Sequence, residues 1–516
     1  MAKRKRNEQA NGSKSGVTAP TKKSKASAAA SLAPPPSRSP YTVQVVTGSY
    51  DRILHGFTVA LDGDRAEFAD TFLFNAHSSA IRCLALSPAS KPEPGKAQKV
   101  MLASGSSDER INVYNISAHP PSATRQKEDD VLSRLAPRKI LENPKNREVG
   151  TLLHHASTVT RLAFPSKSKL MSASEDSTIA VTRTRDMALL SSLKAPIPKP
   201  YGRPSGDTAA LGATPSGVND FAVHPTGKLM ISLSKGEKCM RLWNLTTGKK
   251  GGVLNFGREM LQEVGEGRHS SGEGRAITWS HAGDEFCVSF DRNVLVFPLA
   301  PGEDGGIQPK CKVMADSRTK VHALAYLTPS GGEESSRDTD ADAAGSNAED
   351  SLLAVSTEDG RILFFSTADE DLVQSKAEAD SRKGGSPLPS AKCIGQVGGK
   401  EMGVAGRIKD FTILRAPSGT DENKGDFVIA AGSSDGKVRI FCVAVSELVK
   451  ARKSKDDDGS KQRQLGKLLG AYETQNRITC LEAFVMIPRP DGVEDSEDEF
   501  EDVSEDNDDD DEAAEE

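Results

Sequence analysis

The chain is poor in the groups that most enzyme chemistry requires. Its seven cysteines, at 83, 239, 287, 311, 393, 442 and 480, include no CxxC pair, which argues against a thiolate metal site or a dithiol redox centre. No run of about 18 apolar residues occurs, the length a membrane-spanning helix needs. The opening MAKRKRNEQ lacks the apolar segment of a secretory signal. Every Gly-Lys pair is followed by something other than Ser or Thr, so the phosphate-cradling GxxxxGK[ST] loop is missing. HExxH is missing as well. Residues 432–436, GSSDG, have the letters of a nucleophile elbow, but they read as a hairpin turn rather than a strand-to-helix bend. The expectation is a protein that is not an enzyme, with no cofactor and no metal. Aromatic residues are only 5% of the chain, and its two tryptophans are Trp243 and Trp279.

What is present is repetition. Residues 217–254 read as four short strands: 218–223 alternates apolar and polar, HPTG turns, 229–233 and 240–245 are apolar runs, and GKKGG leads into the fourth. A single sheet of this size has two faces to bury, so it predicts neighbours of its own kind. Its third strand does recur. An acid is followed by an apolar residue three places on, and usually by an aromatic six places on, at Asp51, Asp108, Asp176, Asp291, Asp359 and Asp435. Glu237 stands in the same place within the segment itself. A carboxylate in a tight hairpin accepts hydrogen bonds from turn amides while the next apolar side chains enter the packing.

Seven such units resemble the WD-repeat propeller, and the resemblance implies an all-β, seven-bladed WD40-type β-propeller. His77 and His155 stand where that family places a histidine to bond the turn Asp. Read alone, His77 with Asp108 and His155 with Asp176 could pass for acid–base pairs, but their recurrence at matching positions favours a structural bond. Trp243 keeps the family's tryptophan, and Thr182 replaces it in the third unit. A blade takes about 40 to 45 residues, so seven need roughly 280 to 315 of the span 41–488. The rest reads as insertions at 118–150, 195–216, 329–350 and 450–464, with a short helix near 129–135. Residues 41–74 supply three strands of blade one, and its missing inner strand is expected at 477–484, RITCLEAF, closing the ring and removing free edges. Blade two is expected from 77 to 117, blade three over 151–193 and blade five over 274–299.

The net charge of -6 conceals an asymmetry: residues 1–40 carry a net +8 and residues 489–516 a net -16, leaving +2 for the propeller between them. A propeller close to neutral argues against a broadly basic surface while leaving room for a local patch. Both ends are expected to be disordered. In the basic arm, Lys3, Arg4, Lys5, Arg6, Lys22, Lys23 and Lys25 read as a nuclear localisation signal for an import receptor; a solubilising tail or an RNA contact are the alternatives. In the acidic tail, Ser496 and Ser504 precede acids, the setting an acidophilic kinase prefers. The tail suits basic partners, the shielding of the arm, or solubility alone. Arg52, Arg110, Arg292, Arg361 and Lys437 follow the turn acids and form a candidate partner rim, with solvated charge as the plainer reading.

Within WD-repeat proteins, the segments GTLLHHASTVTRLAF, LMSASEDSTIAV, RLWNLTTGK and AITWSHAGDEFCV resemble the family of the fungal maintenance-of-killer factor and the animal PAK-interacting proteins. That resemblance implies a scaffold for assembly of the large (60S) ribosomal subunit in the nucleus and nucleolus. Its implied partners are pre-60S assembly factors and ribosomal proteins, with pre-rRNA a further candidate and no membrane contact. Animal relatives also bind and restrain a p21-activated kinase, which makes kinase regulation the alternative. A ubiquitin-ligase receptor is disfavoured, because residues 182–185, TRTR, match the expected strand ending only in part.

Overall fold

The computed structural model describes residues 40–91, 97–121, 139–143, 145–197, 217–266, 270–300, 307–315, 319–327, 351–374, 388–417, 426–454 and 462–489. The short apolar runs become seven four-stranded antiparallel sheets. Blade 2 is β4 (Ile81–Leu86), β5 (Lys99–Ser106), β6 (Ile111–Ser117) and β7 (Arg147–Leu152). Blade 3 is β8 (Val159–Ser166), β9 (Lys169–Ser174), β10 (Thr178–Arg183) and β11 (Leu189–Lys194). Blade 4 runs from β12 (Val218–Val223) through β13 (Leu229–Ser234) and β14 (Cys239–Asn244) to β15 (Lys249–Asn255). Blade 5 is β16 (Ala276–Trp279), β17 (Glu285–Ser289), β18 (Asn293–Pro298) and β19 (Cys311–Met314). Blade 6 is β20 (Val321–Tyr326), β21 (Leu352–Thr357), β22 (Arg361–Ser366) and β23 (Lys392–Gly398), and blade 7 is β24 (Ile408–Arg415), β25 (Phe427–Ser433), β26 (Lys437–Val443) and β27 (Lys467–Glu473).

Blade 1 is assembled from both ends of the propeller. Its outer strands are β1 (Tyr41–Ser49), β2 (Ile53–Asp62) and β3 (Arg65–Asn75), and its inner strand is β28 (Ile478–Val485). The β28 strand pairs antiparallel with β1, Val485 opposite Val43. This is the closing strand expected from RITCLEAF. The seven inner strands then neighbour one another around a ring, β28 meeting β4 on one side and β24 on the other.

A four-stranded sheet is stable only when both faces are covered, and the ring supplies a cover for each. Among the described residues the apolar core falls into seven clusters, one between each pair of adjacent blades. Phe57 and Val45 of blade 1 pack with Ile440 and Val438 of blade 7, and Ile231 of blade 4 with Phe286 and Trp279 of blade 5. At about 25 cal/mol per Å² of apolar surface buried, each interface contributes far more than any single polar contact, so the ring is held by packing.

Three outer strands differ from the sequence expectation. Thr151 belongs to β7, the last strand of blade 2, not to blade 3, and β19 and β23 are strands beyond those the sequence predicts. The β7 strand faces solvent and, with burial in Leu152 alone, shows no alternation to read. The insertion after β26 opens as a helix, α2 (Val445–Lys453), with Val445, Leu448 and Ala451 buried in the blade 6–7 core. A second helix, α1 (Arg258–Glu263), buries Leu261.

Three insertions return to cover the outer edge of the preceding blade. Asp70 of β3 donates its amide to Lys139 at 2.9 Å and accepts from Leu141 at 2.7 Å. Lys312 of β19 is bracketed in the same way by Pro389 and Ala391, and Gln396 of β23 by Arg463 and Leu465. These contacts satisfy amides and carbonyls that an open edge would present to other chains. The helix expected near 129–135 and the loop 329–350 lie outside the described residues.

Candidate functional site

In a four-stranded meander the second-to-third turns lie at the same axial end as the loops that carry the chain to the next inner strand. Asp51, Asp108, Asp176, Glu237, Asp291, Asp359 and Asp435 all sit in those turns, so they ring one end of the propeller. Their partners differ from blade to blade. His77 Nδ1 donates to Asp108 at 3.2 Å, and its Nε2 accepts from Ser104 Oγ at 2.8 Å. Burial, ahead of the opposing pull of Asp108, lowers the His77 pKa and favours this neutral tautomer. Asp108 also accepts from the amides of Ser78 (2.9 Å) and Arg110 (3.1 Å). Burial pushes its carboxyl upward, but these amides and His77 hold it below the usual range. His155, Asp176 and Ser172 repeat the arrangement in blade 3, with Nδ1 3.1 Å from the carboxylate and Nε2 2.8 Å from Ser172 Oγ. A buried base fixed between a buried serine and a half-buried carboxylate of one blade braces the turn.

Blades 4 and 7 solve the same problem with arginine. Arg241 Nη1 lies 2.5 Å from Glu237 Oε2 and 3.0 Å from Ser234 Oγ. Arg439 Nη2 lies 2.9 Å from Asp435 Oδ2, while its Nη1 reaches Ser433 Oγ at 3.0 Å. The i,i+4 spacing within a turn-strand unit was legible in the sequence but was not singled out. Asp359 is clasped by Arg361 and Thr357, and Asp291 by Arg275 from the preceding loop at 3.1 Å. Asp51 accepts the amide of Arg477 at 3.2 Å, tying its turn to the start of the closing strand. The residue after the acid is left-handed at Arg52 (φ 73°), Glu109 (70°), Ser177 (66°), Gly360 (80°) and Gly436 (79°), the conformation that turns the chain into the third strand.

The candidate rim divides. Arg52, Arg110 and Arg292 are exposed, and Lys437 is half-buried with Glu473 at 4.0 Å. Arg361 is committed within its own blade: besides Asp359, its Nη1 donates to Gln396 at 3.0 Å and to Gln462 at 3.1 Å. It is not displayed as the other four are. Residues 3–25 of the basic arm and Ser496 and Ser504 lie outside the described residues.

The inner wall carries charges that were not singled out in the sequence. Asp220 accepts from the amides of Phe221 and Ile277, both at 2.9 Å, and lies 3.3 Å from Arg161 Nε. Asp410 repeats this with Phe411 and Leu481, both at 3.0 Å. Burial pushes the Asp410 carboxyl up to about 6, and burial together with Asp410 pushes Glu482 up to about 8. Each acid follows a register shift in its inner strand, and the shift lets its carboxylate bridge to the next blade. Among the described residues no group of three or more His, Cys, Asp or Glu is placed to hold a metal ion.

Seven sheets ringed by turn acids, two of them in His–Asp–Ser arrangements, define the chain as a seven-bladed WD-repeat β-propeller, and the WD domain, G-beta repeat family matches residues 69–115 and 146–181. Propellers of this kind are protein-interaction scaffolds. More particularly, the chain is similar to Protein MAK11 of Saccharomyces cerevisiae, at 25% identity over 432 residues, 79% of each chain. It is 21% identical to a p21-activated protein kinase-interacting protein 1-like protein of Xenopus laevis over 456 residues, 88% of this chain and 85% of that one. The Gallus gallus protein of the same name is 22% identical over 439 residues, 85% and 79% of the two chains. These relatives are the family that the blade-three to blade-five segments resemble.

Proposed function

We propose that the protein is a non-catalytic scaffold for assembly of the large ribosomal subunit, working in the nucleus and nucleolus. The observation that carries this reading is the length of the likeness to Protein MAK11, which extends over 79% of both chains rather than over a repeat or two. A shared ring keeps shared turns and loops in register, and those are the parts a partner meets. The partners this reading implies are pre-60S assembly factors and ribosomal proteins, with the import receptor engaging the basic arm. The exposed Arg52, Arg110 and Arg292 are the first rim residues to test.

Sedimentation of tagged protein from a gently prepared lysate tests the reading. Co-migration with large-subunit precursors, with their proteins as companions in mass spectrometry, is the expected result. Migration as a light species free of ribosomal proteins would overturn it. The name of the vertebrate relatives supports a second reading, regulation of a p21-activated kinase by direct binding. Unchanged kinase activity on titration with the purified protein would remove that alternative.

A further inference from the structure

Charge is distributed unevenly around one mouth of the axial channel. In six blades an amide of the second-to-third turn donates to the carbonyl of the residue just before the inner strand. The pairs are Tyr50 to Arg477, Ser107 to Ala80, Glu175 to Thr158, Lys235 to Gly217, Glu358 to Lys320 and Ser434 to Arg407. The shared bond makes the six acceptor residues structurally equivalent. Cations occupy the position in blades 6, 7 and 1, and small residues occupy it in blades 2, 3 and 4. Arg275 precedes the inner strand of blade 5, and the register shift just inside an inner strand holds Lys409 in blade 7 and the exposed Arg82 in blade 2. Five consecutive blades, from 5 round to 2, thus present cations to the mouth, and the propeller's small net charge hides the concentration.

Acids answer only part of this arc. Arg275 pairs with Asp291, and Arg407 with Glu358 at 3.1 Å. Lys320, Lys409 and Arg477 have no carboxylate at ion-pair distance among the described residues. Burial first, and Arg407 and Arg477 after it, hold the Lys409 ammonium below the usual lysine range. His322 lies in the same arc with Nε2 buried and without a hydrogen-bond partner. Arg477 Cζ stands 5.7 Å from the ring centre of Tyr50, which is 59% exposed.

Arginine and tyrosine are common in protein hot spots as well, but lysine is depleted at protein interfaces, and this arc places Lys320 and Lys409 between Arg275 and Arg477. Exposed aliphatic side chains such as Leu73, Val149, Leu189, Val253 and Leu468 lie on outer strands, away from the mouth. Spaced cations beside one open aromatic ring are what a single-stranded nucleic acid uses: charge along the backbone and a platform for a base. We propose that this arc binds single-stranded RNA, with phosphates on Lys320, Lys409 and Arg477 and a base on the Tyr50 ring. The inference stands on the arc alone and would survive failure of the ribosome-assembly reading.

The test is fluorescence anisotropy of a short labelled oligouridylate with the full chain, over a range of salt. The basic arm is present in every variant and contributes equally. The mouth variant K320Q/K409Q/R477Q is compared with K194Q/K249Q/K250Q, which removes as much charge from exposed ends of the outer strands of blades 3 and 4. The mouth variant is expected to lose roughly tenfold or more in affinity, and its salt slope to fall by about 2, since each single-strand phosphate contact adds about 0.7. Tyr50→Ala is expected to weaken binding roughly fivefold or more. Equal losses in the mouth and control variants would overturn the proposal. Retained RNA binding with lost binding of an oligoglutamate peptide would also overturn it, in favour of an acidic protein partner. Because Lys409 is half-buried, the exposed pair K320Q/R477Q carries the same comparison if the triple variant melts early, with a slope change of about 1.

Discussion

Asp410 joins the last full blade to the strand that closes the ring: its Oδ2 accepts the amide of Leu481 at 3.0 Å while its Oδ1 accepts that of Phe411. Asp410→Ala removes the acceptor for the Leu481 amide at the inner wall, a hydrogen bond to a carboxyl worth about 1.5 to 3 kcal/mol. Urea unfolding should show a loss in that range. Asp410→Asn retains an acceptor and should lose less. Equal stability of the alanine variant and the parent would show that packing alone holds the closing strand.

The same wall gives the protein a pH dependence of definite sign. The Glu482 carboxyl is held up at about 8 in the fold, by burial and by Asp410, so the folded chain binds a proton there that the unfolded chain releases well below neutrality. Its stabilising effect is therefore fully present at low pH and is lost as pH rises through 8. Half-buried His322, lowered to about 4 by desolvation, acts in the opposite sense but only below the pKa of a free histidine. Between pH 6.5 and 8, about the window separating the two, the Tm should fall as pH rises. Glu482→Gln should flatten that slope, and a slope unchanged by the substitution would assign it elsewhere.

Arg439 and Arg241 replace the family's histidine as the brace of a turn acid, and the exchange is not one of charge alone. Each also holds a serine, Ser433 or Ser234, at 3.0 Å. Arg439→Ala frees Asp435 and Ser433 together and should cost about 2 to 3 kcal/mol by thermal or chemical unfolding. Arg439→Lys, which lacks the planar fork, should recover only part of the loss.

Gly436 has φ +79°, and a Cβ placed on it would stand 2.9 Å from the Asn476 carbonyl oxygen. Gly436→Ala should cost at least about 1 kcal/mol from the left-handed backbone, and more from the clash. Ser177 adopts φ 66° at the matching position. Ser177→Gly relieves strain but adds freedom to the unfolded chain, terms of about 1 kcal/mol each, so its stability should barely change.

Deletion of residues 1–25 tests the arm. Loss of nuclear accumulation of a fluorescent fusion is the expected outcome. Retention in the nucleus would leave the arm as a solubilising or RNA-contacting segment.

The inner architecture was legible because it is written locally. An acid, an apolar residue three places on and usually an aromatic at six recur where a turn feeds a buried third strand, as at Asp359, Ile362 and Phe365. The outer strand β7 was not legible, since a strand wetted on one side and paired through its backbone needs no particular side chains, while β19 and β23 are largely buried but lie beyond loops that separate them from the rest of their blades. Helix α2 was hidden for a related reason: Val445, Leu448 and Ala451 bury one narrow stripe within a charged run. The channel-mouth cations escaped for a geometric one. Arg275, Lys320, Arg407 and Arg477 are scattered over the second half of the chain and form no run, and only the shared position before an inner strand brings them to one arc.

Closure by β28 also sets an order of events during synthesis. The hydroxyl of Thr479 bonds to the carbonyl of Gly48 across 431 residues. On the ribosome, six blades can form while the first still lacks its inner strand, so nascent chains carry an open seam until residues 478–485 have been made. Contacts of such long range are slow to form. Chain termination before residue 478 should therefore remove the closed ring, whereas termination after Arg489 should leave it whole.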